Sequence, residues 1–151
     1  MTRLTRIAPL TALLALISLP GVTVGQSWES VAKAESKEAF VDPASVKDVA
    51  GSMELRAKEN FASPQPSAKK GKTYLSADNS YRFDCAGRKV AIKSMLAYPE
   101  ADLQGKVVQK ATFGDKNLQW MDAPKDTVFG NLLNYACYRT PSEPAAPGNP
   151  Q

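Results

Sequence analysis

Hydrophobic and polar residues alternate with period two through the middle of this chain. Tyr81, Phe83 and Cys85 alternate with Arg82 and Asp84, and Val90, Ile92, Ser94, Leu96 and Tyr98 alternate with Lys89, Ala91, Lys93, Met95 and Ala97. A strand turns successive side chains to opposite sides of its sheet. The first stretch therefore predicts a strand with Tyr81, Phe83 and Cys85 inward, and Arg82 and Asp84 in water, close enough to pair. Ala86-Gly87-Arg88 reads as a turn into the second, longer strand, which is expected at the centre of the sheet. Trp28–Ala32 and Glu38–Asp42 read as earlier strands. The latter should end at Asp42-Pro43, since proline lacks a donor and restricts the residue before it. Met53, Leu55, Ala57 and Phe61 alternate with Glu54, Arg56, Lys58 and Asn60. These letters also put Met53, Ala57 and Phe61 along one side of a short helix, but turn-like residues at Gly51-Ser52 and Ala62-Ser63-Pro64 favour a strand.

Residues 62–72 hold no large apolar side chain and predict an exposed loop. Structure resumes at Thr73-Tyr74-Leu75-Ser76, and Ala77-Asp78-Asn79 reads as a tight turn. Pro99 ends the long strand, and Gly105 opens a β-rich run from Lys106 to Phe113. Asp126 or Thr127 can cap a helix from Val128 to about Tyr135, whose apolar side carries Val128, Phe129, Leu132, Leu133 and Ala136. Gly130 within it costs about 1 kcal/mol relative to alanine, so the helix needs a sheet to pack on. Short turns between consecutive strands argue against helical crossovers. The fold class expected is α+β: a single antiparallel meander sheet of about five to seven strands with a C-terminal helix packed on it.

The two ends read differently. Arg3 and Arg6, the uncharged run Ile7–Leu19 and the small residues up to Gly25 have the order of a secretory signal peptide over residues 1–25. The apolar run is short for a membrane span, which leaves an uncleaved N-terminal anchor helix as the alternative and predicts no transmembrane segment in the mature chain. Residues 26–139 form one expected domain, and the Pro-rich stretch 140–151 an expected disordered tail. Loss of Arg3 and Arg6 lowers the net charge from +4 to +2, with 17 Lys and Arg against 15 Asp and Glu. So small an excess, without an Arg-rich or Lys-rich face, argues against nucleic acid as a partner.

Two cysteines in an exported chain most simply form one disulfide, Cys85–Cys137, whose loop of about 52 residues would contribute about 4 kcal/mol in the chain-entropy model. Free thiols for redox work are the alternative, but they would favour a Cys-x-x-Cys spacing that the chain lacks. The chain contains no histidine, which removes the usual base at neutral pH, the commonest zinc ligand and every Ser-His or Cys-His pair. Asp84 with Glu100 or Asp102 is the remaining route to hydrolysis by carboxylates alone, and their context is turn and wet strand. No catalytic residue, metal site or cofactor is therefore expected. Lys69, Lys70 and Lys72 form the one local cationic cluster, a candidate for an acidic protein surface or a polyanion, or else a solubilising loop beside an edge strand. Trp28, Tyr74, Tyr98, Trp120 and Tyr138 could anchor a protein partner or close a small core.

The ordered set Trp28, Phe40-Val41-Asp42-Pro43-Ala44-Ser45-Val46, Asn60-Phe61, Pro64-Gln65, Tyr74-Leu75-Ser76, Phe83-Asp84-Cys85-Ala86-Gly87-Arg88, Gly105, Trp120 and Ala136-Cys137 resembles the surface-adhesin protein E family of Gram-negative bacteria. The resemblance runs from about Trp28 to Cys137. It implies a small antiparallel sheet with a packed helix, export to the envelope and, in some members, binding of host extracellular-matrix or serum proteins. The chain departs from a lipid-anchored adhesin in having no cysteine near the expected cleavage point. Two function classes follow: an exported, non-enzymatic protein-binding module at the cell surface, or a soluble periplasmic envelope or stress-related protein. An open sheet edge would also allow a homodimer.

Overall fold

A computed structural model describes residues 27–139; the expected signal peptide and Pro-rich tail lie outside the described residues. Strands β1 (Glu29–Lys33), β2 (Lys37–Val49), β3 (Ser52–Pro66), β4 (Thr73–Asp84), β5 (Lys89–Tyr98) and β6 (Gln109–Thr112) pair in chain order, every pair antiparallel. A seventh strand, β7 (Met121–Asp122), also pairs with β5. Helix α1 (Val128–Tyr138) follows, so the class is α+β with one antiparallel meander.

The register sorts the strands into two faces. Leu55 and Tyr81 are partners, as are Met53 and Phe83, Val41 and Ala57, and Phe83 and Val90. All of these side chains except Met53 form, with Leu132, Leu133 and Ala136, the buried core under α1, and the partly buried Met53 packs against it. Thr127 caps α1 by accepting a hydrogen bond from the Gly130 amide at 3.0 Å. The helix runs to Tyr138, three residues past the expected end, because Cys137 is bonded to Cys85 (Cα–Cα 5.8 Å) and Tyr135 donates to Glu29 at 2.9 Å. Gly130 is buried, and a Cβ there would lie 2.1 Å from the Pro124 carbonyl oxygen. Close approach of the entering chain, rather than helix propensity, thus selects glycine at this position.

Several local expectations are overturned. Pro43 does not end β2. The pairing jumps from Asp42–Arg56 to Lys47–Glu54, so residues 43–46 form a bulge in which proline has no ladder bond to lose. Ser45 repairs the gap: its hydroxyl donates to the Asp42 carbonyl at 2.6 Å and accepts from the Arg56 amide at 2.8 Å. Ala77-Asp78-Asn79 is not a turn but the middle of β4, where Asp78 meets Arg56 and Asn79 donates to the Tyr81 hydroxyl at 3.0 Å. Strand β3 continues to Pro66 across a second register shift, which shortens the loop to residues 67–72. Of the β-rich run 106–113, only Gln109–Thr112 is strand. Strand β5 lies beside the edge, and β3 and β4 occupy the centre.

The face opposite the helix is not the wet surface expected. Glu54, Lys58, Asp78 and Arg82 are all buried there. Arg82 pairs with Glu54 and lies 3.5 Å from Asp115, so its partner is not Asp84.

Candidate functional site: the apolar edge beside β5

The outer edge of β5 is covered in two pieces. Strand β6 pairs along Ser94–Ala97 and β7 along Lys89–Val90. Between them the chain leaves the sheet after Phe113, whose amide donates to the Lys93 carbonyl at 2.8 Å, and passes through a short 3-10 turn at Asp115–Asn117. A groove of about 350 Å3 opens there, lined by Ile92, Phe113, Gln119 and Met121. Strands of two and four residues cannot screen their own apolar side chains, and no element packs outside them among the described residues. Val107, Phe113, Trp120 and Met121 are accordingly 39–45% exposed. Among the described residues they are four of the five exposed large hydrophobic side chains, the fifth being Tyr138. Phe113 and Met121 meet at the groove, and an exposed apolar lining of this kind marks a binding surface more often than an unused one.

Lys93–Asp115 and Lys89–Asp122 flank this edge, and the other ion pairs lie across the sheet. On the face away from the helix, Lys93 and Arg82 both reach Asp115, Arg82 also meets Glu54, Lys47 lies 3.3 Å from Glu54, Arg56 grips Asp78 with two donors, and Lys58 lies 2.7 Å from Asp102. Burial works to raise the Glu54 carboxyl, but hydrogen bonds from Arg82 and Lys47 outweigh it and hold the group below its ordinary value. The Lys58 ammonium, helped by the Asn60 amide, lowers Asp102, and Lys93 lowers Asp115. Under the helix, Glu59 accepts from Tyr81 at 2.9 Å and from Lys37 at 3.1 Å, while burial first and the Glu59 charge second push the Tyr81 hydroxyl well above its ordinary value. These groups neutralise one another in place.

The residues singled out from sequence are dispersed. Lys69, Lys70 and Lys72 are exposed on the loop between β3 and β4. Asp84 caps the turn after β4 by accepting from the Gly87 amide at 2.9 Å, whereas Asp102 meets Asn60 and the Glu100 carbonyl accepts from Ser76. Ser76 and Asp84 are eight residues apart on one strand, roughly 27 Å, so the suggested carboxylate pairs do not assemble. Of the aromatic set, Trp28 is half-buried with Arg56 and Lys58 over its ring, Tyr74 packs edge-on against Phe61, Tyr98 is half-buried, and Trp120 and Tyr138 are exposed. Phe113 and Met121 escaped sequence reading because a β-rich stretch gives no sign that its neighbours will be too short to cover it. No helix among the described residues is long and apolar enough to cross a membrane.

Comparison with known proteins agrees with this architecture. Crystal form II of Haemophilus influenzae protein E is similar at a TM-score of 0.53 and 16% identity, over 82% of this chain and 96% of that one. A further structure of Haemophilus influenzae protein E gives 0.51 and 14%, over 80% and 90%. At such identities the likeness speaks for the fold alone. No curated protein matches the sequence. The sequence model of the surface-adhesin protein E family, by contrast, matches residues 28–138, from the start of the described sheet to the last residue of α1, and the chain belongs to that family.

Proposed function

We propose that this chain is an exported, non-enzymatic binding module that holds a host extracellular-matrix or serum protein against the apolar edge beside β5. The observation that carries the reading is the exposure of Phe113 and Met121 around one groove beside β5, with the exposed Trp120 next to Met121 in the chain. Aromatic and methionine side chains of this kind supply the anchors of protein interfaces, and the neighbouring groove offers a partner side chain a place to insert. Membership of a surface-adhesin family supports binding over catalysis and an exported or surface location over a cytoplasmic one.

The test is binding of the purified domain to immobilised human matrix and serum proteins, beside the variant Phe113→Ser/Trp120→Ser/Met121→Ser. Binding to at least one of them, weakened ten-fold or more in the variant at unchanged circular dichroism, is expected. Equal binding by the variant would remove the edge from the account, and no binding to any of them would remove the adhesin reading. Protection of the chain from protease added to whole cells would favour the periplasmic role instead. Sedimentation that depends on concentration in the native domain but not in the variant would assign the edge to a second copy of the chain.

A further inference from the structure

The lysine loop is not a free appendage. It closes on itself, with the Ser67 amide donating to the Lys72 carbonyl and the Lys72 amide to the Lys69 carbonyl, both at 3.0 Å. It is also latched to the edge strand: the Ala68 amide donates to the Gln109 side chain at 2.7 Å, across 41 residues of sequence. Lys69 is the next residue after Ala68, and Lys110 the next after Gln109. Lys106 lies three residues before Gln109, no more than roughly 10 Å of backbone away. One hydrogen bond therefore brings together two lysine-bearing stretches that are far apart in the chain.

Their charge is unbalanced locally. Neither residues 62–77 nor residues 103–114 contain an acid. Lys69, Lys70, Lys72, Lys106 and Lys110 form no ion pair with any described residue, in contrast to Lys37, Lys47, Lys58, Lys89 and Lys93; the other unpaired lysines, Lys33, Lys116 and Lys125, lie outside these two stretches. Glu100 lies beside Gly105, and Asp102 is already engaged by Lys58 and Asn60. Setting the five lysines aside leaves 12 Lys and Arg against 14 Asp and Glu in residues 27–139. The domain is thus acidic in its body and strongly basic at one end.

We propose that this end, Lys69, Lys70 and Lys72 on the loop with Lys106 just before the edge strand and Lys110 on it, is a binding platform for a linear sulfated polysaccharide. It is a site separate from the apolar edge. Three features select that ligand. The charges are divided between two stretches of chain that the Ala68–Gln109 bond joins, and charges distributed in this way suit a chain of sulfates better than a single phosphate. They are ammonium groups on flexible stems, which meet sulfates as point charges without the fixed fork that guanidinium offers to a carboxylate. Of the exposed large hydrophobic side chains only Val107 lies between Lys106 and Lys110 or on the loop, fewer than a lipid surface would need for insertion.

The test is isothermal titration of the purified domain with a defined heparin oligosaccharide, N-desulfated and O-desulfated oligosaccharide, poly-glutamate and vesicles containing anionic lipid. Binding to the sulfated oligosaccharide that weakens steeply with added salt is expected. Affinity should fall at least ten-fold in Lys69→Ala/Lys70→Ala/Lys72→Ala and again in Lys106→Ala/Lys110→Ala. Gln109→Ala keeps every lysine but releases the latch, and should weaken binding several-fold. Exposed lysines carry no core packing, so these variants should fold; the Phe113→Ser/Trp120→Ser/Met121→Ser variant should bind heparin normally, which separates this site from the apolar edge. Full binding by Lys106→Ala/Lys110→Ala would reduce the platform to a loop and overturn the proposal. Equal or tighter binding of poly-glutamate would reassign the surface to acidic proteins, and tighter binding of vesicles to a membrane; either result overturns it as well.

Discussion

The two faces of this sheet are held by different physics. Under α1, apolar side chains and the Cys85–Cys137 bond fix the helix to β4, and the polar atoms that intrude, Glu59, Asn79, Tyr81 and Lys37, bond to one another. On the opposite face no helix or second sheet among the described residues provides cover, and long ionic side chains cover it themselves: Arg82 with Glu54, Arg56 with Asp78, and Lys58 beneath Trp28 and Phe40. Apolar burial is non-directional and tolerates changes of shape. Paired buried charges tolerate little, because removing one partner leaves the other desolvated without compensation. A small domain can therefore bury both sides of a single sheet with one helix, provided the second side is made of matched pairs.

The largest effect should come from separating helix and sheet. The double substitution Cys85→Ser/Cys137→Ser should cost about 4 kcal/mol, measured by urea unfolding against the oxidised parent. A loss below 1 kcal/mol would mean that the apolar contacts of α1 hold the helix without the bond. Next is the ionic face. Glu54→Ala should destabilise by about 2 kcal/mol, since Arg82 keeps only Asp115 at 3.5 Å, whereas Glu54→Met/Arg82→Met should be nearly neutral. A double variant as unstable as the single one would show that the pair contributes more than mutual compensation.

The smallest effect is the acid arm. Glu54, Asp102 and Asp115 titrate below their ordinary values in the folded chain. Their contribution is therefore complete above the unfolded carboxylate pKa, near 4.5 for Glu54, and is lost as pH falls through the lower folded values. Stability should be flat from about pH 5 to 8, because no histidine titrates in that window, and should decline below it. In Glu54→Met/Arg82→Met the decline should be shallower; an equal slope would place the acid sensitivity elsewhere.

The strands under α1 were legible because their alternation reports one apolar side directly, and Thr127 before Val128 announced the helix. What misled was local chemistry whose partners are distant. Asp78-Asn79 has the letters of a turn, yet Arg56, 22 residues away, makes Asp78 a ladder residue. Asp42-Pro43 has the letters of a stop, yet Ser45 supplies the missing acceptor and the strand goes on. The alternating charges of β3 and β4 suggest a water-facing side, since alternation identifies which residues share a face but not what that face meets. The apolar edge was hidden for the same reason: exposure of Phe113 and Met121 follows from how little of β5 the last two strands cover.

Tyr135 and Arg139 of the helix end both reach Glu29 at the start of β1. The described domain thus begins and ends at neighbouring points, on the side of the sheet where the disulfide sits. The lysine loop lies beyond the other end of β4, twelve residues and roughly 40 Å from Asp84. A tether attached at either terminus would consequently hold the domain by the same side.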